Sequence, residues 1–166
     1  MHPATGVPQQ YYGRFAAYLA ERGFTVLTFD YRGIGRSRPA TLKGFAARMR
    51  DWAELDGAAA LDFLEREAGG AKLVAVGHSF GGQAFGLLPR PERLSAAVVV
   101  GSQSGYWRNW PPLGRTWMWA ATHLMLPLLS RLLGYFPSSK LGFGFSRLSS
   151  TLMTCQPNWL SIGSET

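Results

Sequence analysis

The sequence predicts an α/β fold built on a doubly wound, mainly parallel sheet, and three observations carry that expectation. Apolar runs at residues 24–30, 71–77 and 94–101 are nearly continuous in apolar character instead of alternating, as in strands covered on both faces. Helix-period patterns alternate with those runs. A serine flanked by glycines stands where the second run meets the next helix, and sheets of this kind bind ligands beyond the carboxyl ends of their strands.

The elements follow in order. Residues 11–22 place Tyr12, Phe15, Ala16 and Leu19 on one helical face, and Gly23 suits the stop. After the first strand, residues 45–68 carry Phe45, Met49, Trp52, Leu55, Ala59 and Phe63 at steps of three or four, ending at Gly69-Gly70. The second strand runs into Gly77-His78-Ser79-Phe80-Gly81, and a helix over 80–88 is stopped by Pro89 and Pro91 before the third strand. Residues 106–148 then hold nine aromatics, divided into short helical pieces by Pro111-Pro112, Pro127 and Pro137. They read either as a cap over the face carrying Ser79 or as amphipathic helices finishing the core. Residues 149–166 show no period and contain seven serines and threonines, which predicts a poorly ordered tail. The expected organisation is a partial core at 1–101, a helical cap at 102–148 and a tail at 149–166.

Composition excludes several function classes. The chain of 166 residues is one domain's worth, 46% hydrophobic and 16% charged. Its net charge of +7 rests on fourteen scattered arginines, with no basic run or stripe, so no nucleic-acid partner is expected. Aspartates end at Asp62, and Glu165 is the only acid after Glu92. Cys155 is alone, so no disulfide can form within the chain, and residues 1–6 do not resemble a signal peptide; a cytoplasmic location is expected. The longest apolar stretch, 117–133, is interrupted by His123, Pro127, Ser130 and Arg131, which argues against a transmembrane segment and leaves a lipid surface or an apolar pocket for it to cover. The histidines and the cysteine lack metal-ligand spacing, and Gly33-x-Gly35 and Gly77-x-Ser79 lack the third glycine of a dinucleotide loop, so no metal and no cofactor is expected.

The junction at Ser79 has the pattern of a nucleophile elbow, a strand-to-helix turn so tight that the residues two before and two after the serine must be nearly free of side chain. Gly77 and Gly81 supply that room, and Gly82 lets the following helix approach the sheet. Three further segments accompany it. His2-Pro3-Ala4-Thr5-Gly6 resembles the His-Gly loop after the third strand of α/β-hydrolases, and Asp30-Tyr31-Arg32-Gly33-Ile34-Gly35-Arg36-Ser37 resembles their Asp-x-Arg-Gly-x-Gly-x-Ser loop after the fourth. The strand at 96–100 leads on toward a cap. Across residues 1–101 the chain is thus similar to the α/β-hydrolase group that contains monoacylglycerol lipase-like and serine-aminopeptidase-like members.

The resemblance implies Ser79 as catalytic nucleophile, with an oxyanion hole made by the N–H of Phe80 and that of Ala4 or Thr5. Pro3 stands where the family has glycine and has no N–H to offer. The loop at 30–37 is expected to be structural, with Asp30 and Arg32 bracing backbone. The family's base and its orienting acid follow the serine in the order acid, then histidine. Here only His123 follows, with Glu92 too early in the chain and Glu165 in the tail. His123 reads as a cap histidine or as a substitute base, His78 should point away from the hydroxyl, and His2 should be structural. The chain is therefore expected to be an incomplete copy lacking the triad acid and histidine and the early and late strands, either an internal fragment or the product of a misread frame. Unpaired sheet edges should result. Two functions stay open: a serine hydrolase of carboxylic esters or related acyl substrates, its small-molecule substrate hydrophobic, or a non-catalytic module binding an apolar ligand or a partner protein.

Overall fold

The computed structural model describes residues 1–102 and 106–133. A 3₁₀ turn at Gln9–Tyr12 runs directly into helix α1 (Gly13–Ala20). Helix α2 (Met49–Asp51), a π-helical turn at Trp52–Gly57 and helix α3 (Ala58–Glu67) form one continuous run. It starts four residues later than the apolar period at 45–68 suggested, because Asp51 accepts the Arg48 N–H at 2.8 Å and so caps the helix at that point. Strand β1 (Leu73–His78) is followed by the short helix α4 (Phe80–Gln83), 3₁₀ turns at Ala84–Leu87 and Pro91–Arg93, and strand β2 (Leu94–Val100).

β1 and β2 pair in parallel, with Val76 opposite Val98 and His78 opposite Val100. Such a pair needs a crossover, and residues 79–93, with α4 and the two 3₁₀ turns, supply it. On the other side of β1, His2 forms a single parallel bridge to Gly77. The His2 N–H donates to the Val76 carbonyl at 2.8 Å, and the His78 N–H donates to the His2 carbonyl at 3.1 Å. Beyond it, the Met1 amino group donates to the Leu27 carbonyl at 2.6 Å. The spatial order is therefore Leu27, Met1–His2, β1, β2, an α/β arrangement around a two-stranded parallel sheet.

Two expectations need correction. The run at 24–30 forms no strand ladder among the described residues. Its described bond toward the sheet is the Leu27 carbonyl accepting from the Met1 amino group, and one bond is not the repeated pairing that a ladder requires. Nor is β2 covered on both faces: Val98, Val99 and Val100 are 51%, 58% and 52% exposed. Its one sheet neighbour among the described residues is β1, and α4, four residues long, is too short to cover it.

The core lies behind the elbow. Tyr31 stacks on Trp52 with ring centroids 5.1 Å apart, and the Phe80 ring stands edge-on to both. Tyr31, Ala53, Phe80 and Ala84 are the buried centre of this cluster, with Phe29, Ile34 and Trp52 packed around it. A second cluster of Leu61, Leu73 and Leu88 joins α3 to the start of β1. Arg93 reinforces that junction with its guanidinium on Asp62 at 2.8 Å and on Glu65 at 2.7 Å.

Residues 112–133 form a second continuous helical run: α5 (Pro112–Ala120), a π turn at Ala121–Met125 and α6 (Leu126–Leu133). Pro127 does not divide it as expected. The π turn sits immediately before the proline, where the missing N–H would have bonded one turn back, and it absorbs the defect without ending the helix. No helix among the described residues is long and apolar enough to cross a membrane. The expected cap is described as far as residue 133, and the rest of it and the tail at 149–166 lie outside the described residues.

Candidate active site

Ser79 has φ +52° and ψ −116°, a backbone conformation that L residues rarely adopt. It is held there from three sides. Its N–H donates to the Val100 carbonyl at 2.9 Å, tying the elbow to the end of β2. Its carbonyl accepts the Ser102 hydroxyl at 2.8 Å and the Gly82 N–H at 3.1 Å. Strain of this kind costs about 1–3 kcal/mol. Ser79→Gly, which relieves it, is expected to be about 1 kcal/mol more stable than Ser79→Ala. The urea midpoints of the two variants measure this, and equal midpoints would mean an unstrained turn.

The glycines of the elbow are set by contact with backbone. A Cβ on Gly77 would lie 2.5 Å from the Gly82 nitrogen and 2.6 Å from the Gly81 carbonyl. A Cβ on Gly81 would overlap the His2 carbonyl oxygen. The elbow is thus clasped between its own helix and the 2–6 loop. Phe80 is anchored by its buried ring, and its N–H has no acceptor among the described residues.

In the 2–6 loop the two candidate donors differ. The Ala4 N–H donates to the Tyr12 hydroxyl at 2.8 Å, whereas the Thr5 N–H has no acceptor among the described residues. The same Tyr12 oxygen lies 3.0 Å from Nδ1 of His78, the residue before the nucleophile. Tyr12 is buried, and burial raises its phenol's pKa, opposed by the bond from Ala4. Sequence reasoning used Tyr12 only as an apolar position on a helix face. The available signal was that a phenol heading for a core needs a polar partner for its hydroxyl.

The histidines fall into different settings. His78 turns its ring toward Tyr12 and lies parallel to Tyr11 at 6.5 Å. His2 is 4% exposed, enclosed edge-on by Phe29 and Phe85, with Nδ1 3.3 Å from the Tyr31 hydroxyl. Burial, and secondarily the positive amino terminus, lower its pKa to about 3, so its ring is neutral. His123 lies stacked on Trp119 within its own helical run, with Nδ1 3.1 Å from the Trp119 carbonyl and 2.8 Å from the Thr122 hydroxyl. Among the described residues, no carboxylate bonds to His123, and no histidine or carboxylate bonds to the Ser79 hydroxyl.

The loop at 30–37 is a brace. Asp30, buried, accepts the Gln9 N–H at 2.7 Å, the Arg36 N–H at 2.9 Å and the Gln9 side-chain amide at 3.2 Å. Arg32 grips Asp56 with Nε and Nη2 at 2.9 and 2.7 Å, and that bond raises the guanidinium's pKa further. A cleft of about 380 Å³ beside this loop is lined by Leu27, Phe29, Arg32, Asp56 and Phe63, and one of about 460 Å³ opens at Trp107, Arg115 and Trp119. Neither includes Ser79. No group of three metal-ligating side chains exists among the described residues.

Compared with protein families, residues 8–148 match the family model described as serine aminopeptidase, S33. Comparison with curated proteins and comparison with solved structures each give no significant match.

Proposed function

Because the chain belongs to the serine aminopeptidase S33 family, a family of α/β-hydrolases, we propose that it is a serine hydrolase of carboxylic esters or related acyl substrates with Ser79 as nucleophile. The observation that carries this reading is the positive φ of a non-glycine residue between two glycines that tolerate no Cβ. Such strain at a strand-to-helix turn exposes the serine hydroxyl for attack. Ser79 Oγ attacks the substrate carbonyl carbon, its proton passes to solvent water, and the carbonyl π electrons move onto oxygen. The Phe80 N–H and the 2–6 loop with Ala4 and Thr5 flank the place where that charge develops. When the carbonyl re-forms, the leaving group departs with a proton, and water later releases the acyl group. The exposed Leu113 and Trp117 of α5 support a hydrophobic acyl or aromatic group in the substrate.

A second reading is favoured by one observation, the absence of a base on the Ser79 hydroxyl among the described residues. In it the chain is a non-catalytic module that binds an apolar ligand. A fluorophosphonate separates the two. The hydrolase reading expects stoichiometric labelling of the chain at Ser79 and none in Ser79→Ala. Absent labelling with saturable binding of a fatty acid would replace it with the binding module.

A further inference from the structure

We propose that the Tyr12 hydroxyl, not the Ala4 N–H, is the second hydrogen-bond donor to the oxyanion formed at Ser79; this rests on the nucleophile reading above. Ala4 is the residue of the 2–6 loop whose N–H is already spent, directed at Tyr12 Oη at 2.8 Å. An atom at that distance from the N–H stands where a substrate oxygen would have to sit to use it. The oxyanion therefore meets the phenol and not the Ala4 amide.

The setting of Tyr12 suits a donor. The 3₁₀ turn at Gln9–Tyr12 carries the phenol to a place between the 2–6 loop and the elbow, where Oη meets the Ala4 N–H on one side and His78 Nδ1 on the other. A phenol oxygen has two acceptor lone pairs and one proton. With His78 in its Nδ1–H tautomer, Ala4 and His78 fill both lone pairs, and the hydroxyl proton is left to donate. Two donors on the oxygen polarise that O–H bond and strengthen the hydrogen bond it makes. The ring is fixed by Ala4, Val7 and Met1, so the donor is preorganised before the charge appears. No proton changes place in this role: the hydroxyl keeps its hydrogen while the oxyanion forms and collapses.

Phosphonylation tests it on the whole chain, because the phosphoryl oxygen of the reagent takes the oxyanion's position. Ser79 Oγ forms a bond to phosphorus, the P–F bond breaks, fluoride leaves with the electron pair, and the serine proton goes to solvent. The expected result is a labelling rate lower by about 100-fold or more in Tyr12→Phe, the effect of removing one oxyanion donor. The ³¹P resonance of the adduct should also move, which a purely structural role would not cause. If Tyr12→Phe does not fold by circular dichroism, fluorotyrosine at position 12 keeps the hydrogen bonds and lowers the phenol's pKa. The alkaline arm of the pH–rate profile should then shift to lower pH. A folded Tyr12→Phe labelled at the wild-type rate, or a fluorotyrosine profile that does not move, overturns the proposal. Faster labelling overturns it too and makes Tyr12 a plug on the Ala4 N–H. A wild-type chain that is not labelled at all removes the nucleophile reading and the Tyr12 role with it, an outcome distinct from the others.

Discussion

Gly81→Val is expected to destabilise the fold by more than about 4 kcal/mol, an exceptional loss for one substitution. A Cβ at this position overlaps the His2 carbonyl oxygen and lies 2.6 Å from the carbonyl carbon and 2.9 Å from the Pro3 oxygen. All three atoms are backbone, so no rotamer change relieves the clash. Relief requires the 2–6 loop to leave the elbow. That movement breaks the His2 N–H bond to Val76 and the His78 N–H bond to His2, each worth about 1 kcal/mol net and more if a buried group is left unpaired. It also pulls Ala4 from Tyr12 and opens the cluster of Ala4, Val7 and Tyr12. Gly86→Ala is the control, because a Cβ there meets nothing within 4 Å. Urea unfolding followed by far-ultraviolet circular dichroism measures both variants. A Gly81→Val midpoint equal to that of Gly86→Ala would show that the loop does not clasp the elbow.

The contrast between these two glycines shows what the sequence makes legible. Gly77 is readable because the atoms that exclude a Cβ there belong to Gly81 and Gly82 of the same turn, whereas those that exclude one at Gly81 belong to His2 and Pro3 and are not written in the elbow itself. β1 and β2 fall within two residues of the apolar runs that predict them, since the two runs pair with each other over six residue pairs. The run at 24–30 is also largely apolar and forms no ladder among the described residues, because a ladder depends on the neighbour and not on the strand's own residues. Exposure of Val98 to Val100 is hidden for a similar reason: apolar character records what a strand can bury, and cover depends on elements elsewhere in the chain. Tyr12 is the clearest miss at the site. Its helical spacing looks apolar, while its hydroxyl meets residues 8 and 66 positions away. No local pattern encodes that meeting.

Acidification should expose the burial of His2 as a loss of stability that begins near neutral pH. Its ring is surrounded by Phe29, Tyr31 and Phe85, and desolvation holds its pKa at about 3 against 6.5 for a free histidine. Between those values the unfolded chain takes up a proton at this ring and the folded chain does not. The stability that His2 contributes is therefore fully present above pH 6.5 and falls as pH drops toward 3. Each pH unit in that window is worth about 1.4 kcal/mol, so the loss is about 2 kcal/mol at pH 5 and about 5 kcal/mol at pH 3. Asp51 and Glu65 also have lowered pKa values, from the Arg48 backbone bond and the Arg93 side-chain bond respectively. Their stabilisation is lost at more acidic pH, whereas the buried Met1 amino group, its pKa lowered by desolvation from 8.0 to about 5, takes up its proton earlier in the unfolded chain and shares the interval from pH 6.5 to 5 with His2. His2→Gln removes the titration while keeping an amide for the Tyr31 hydroxyl. Its urea midpoint should fall less between pH 7 and pH 5 than that of the wild-type chain, because only the Met1 amino group still titrates there. Parallel falls in the two proteins would mean that His2 can charge without leaving its pocket, through a path for water between Phe29 and Phe85.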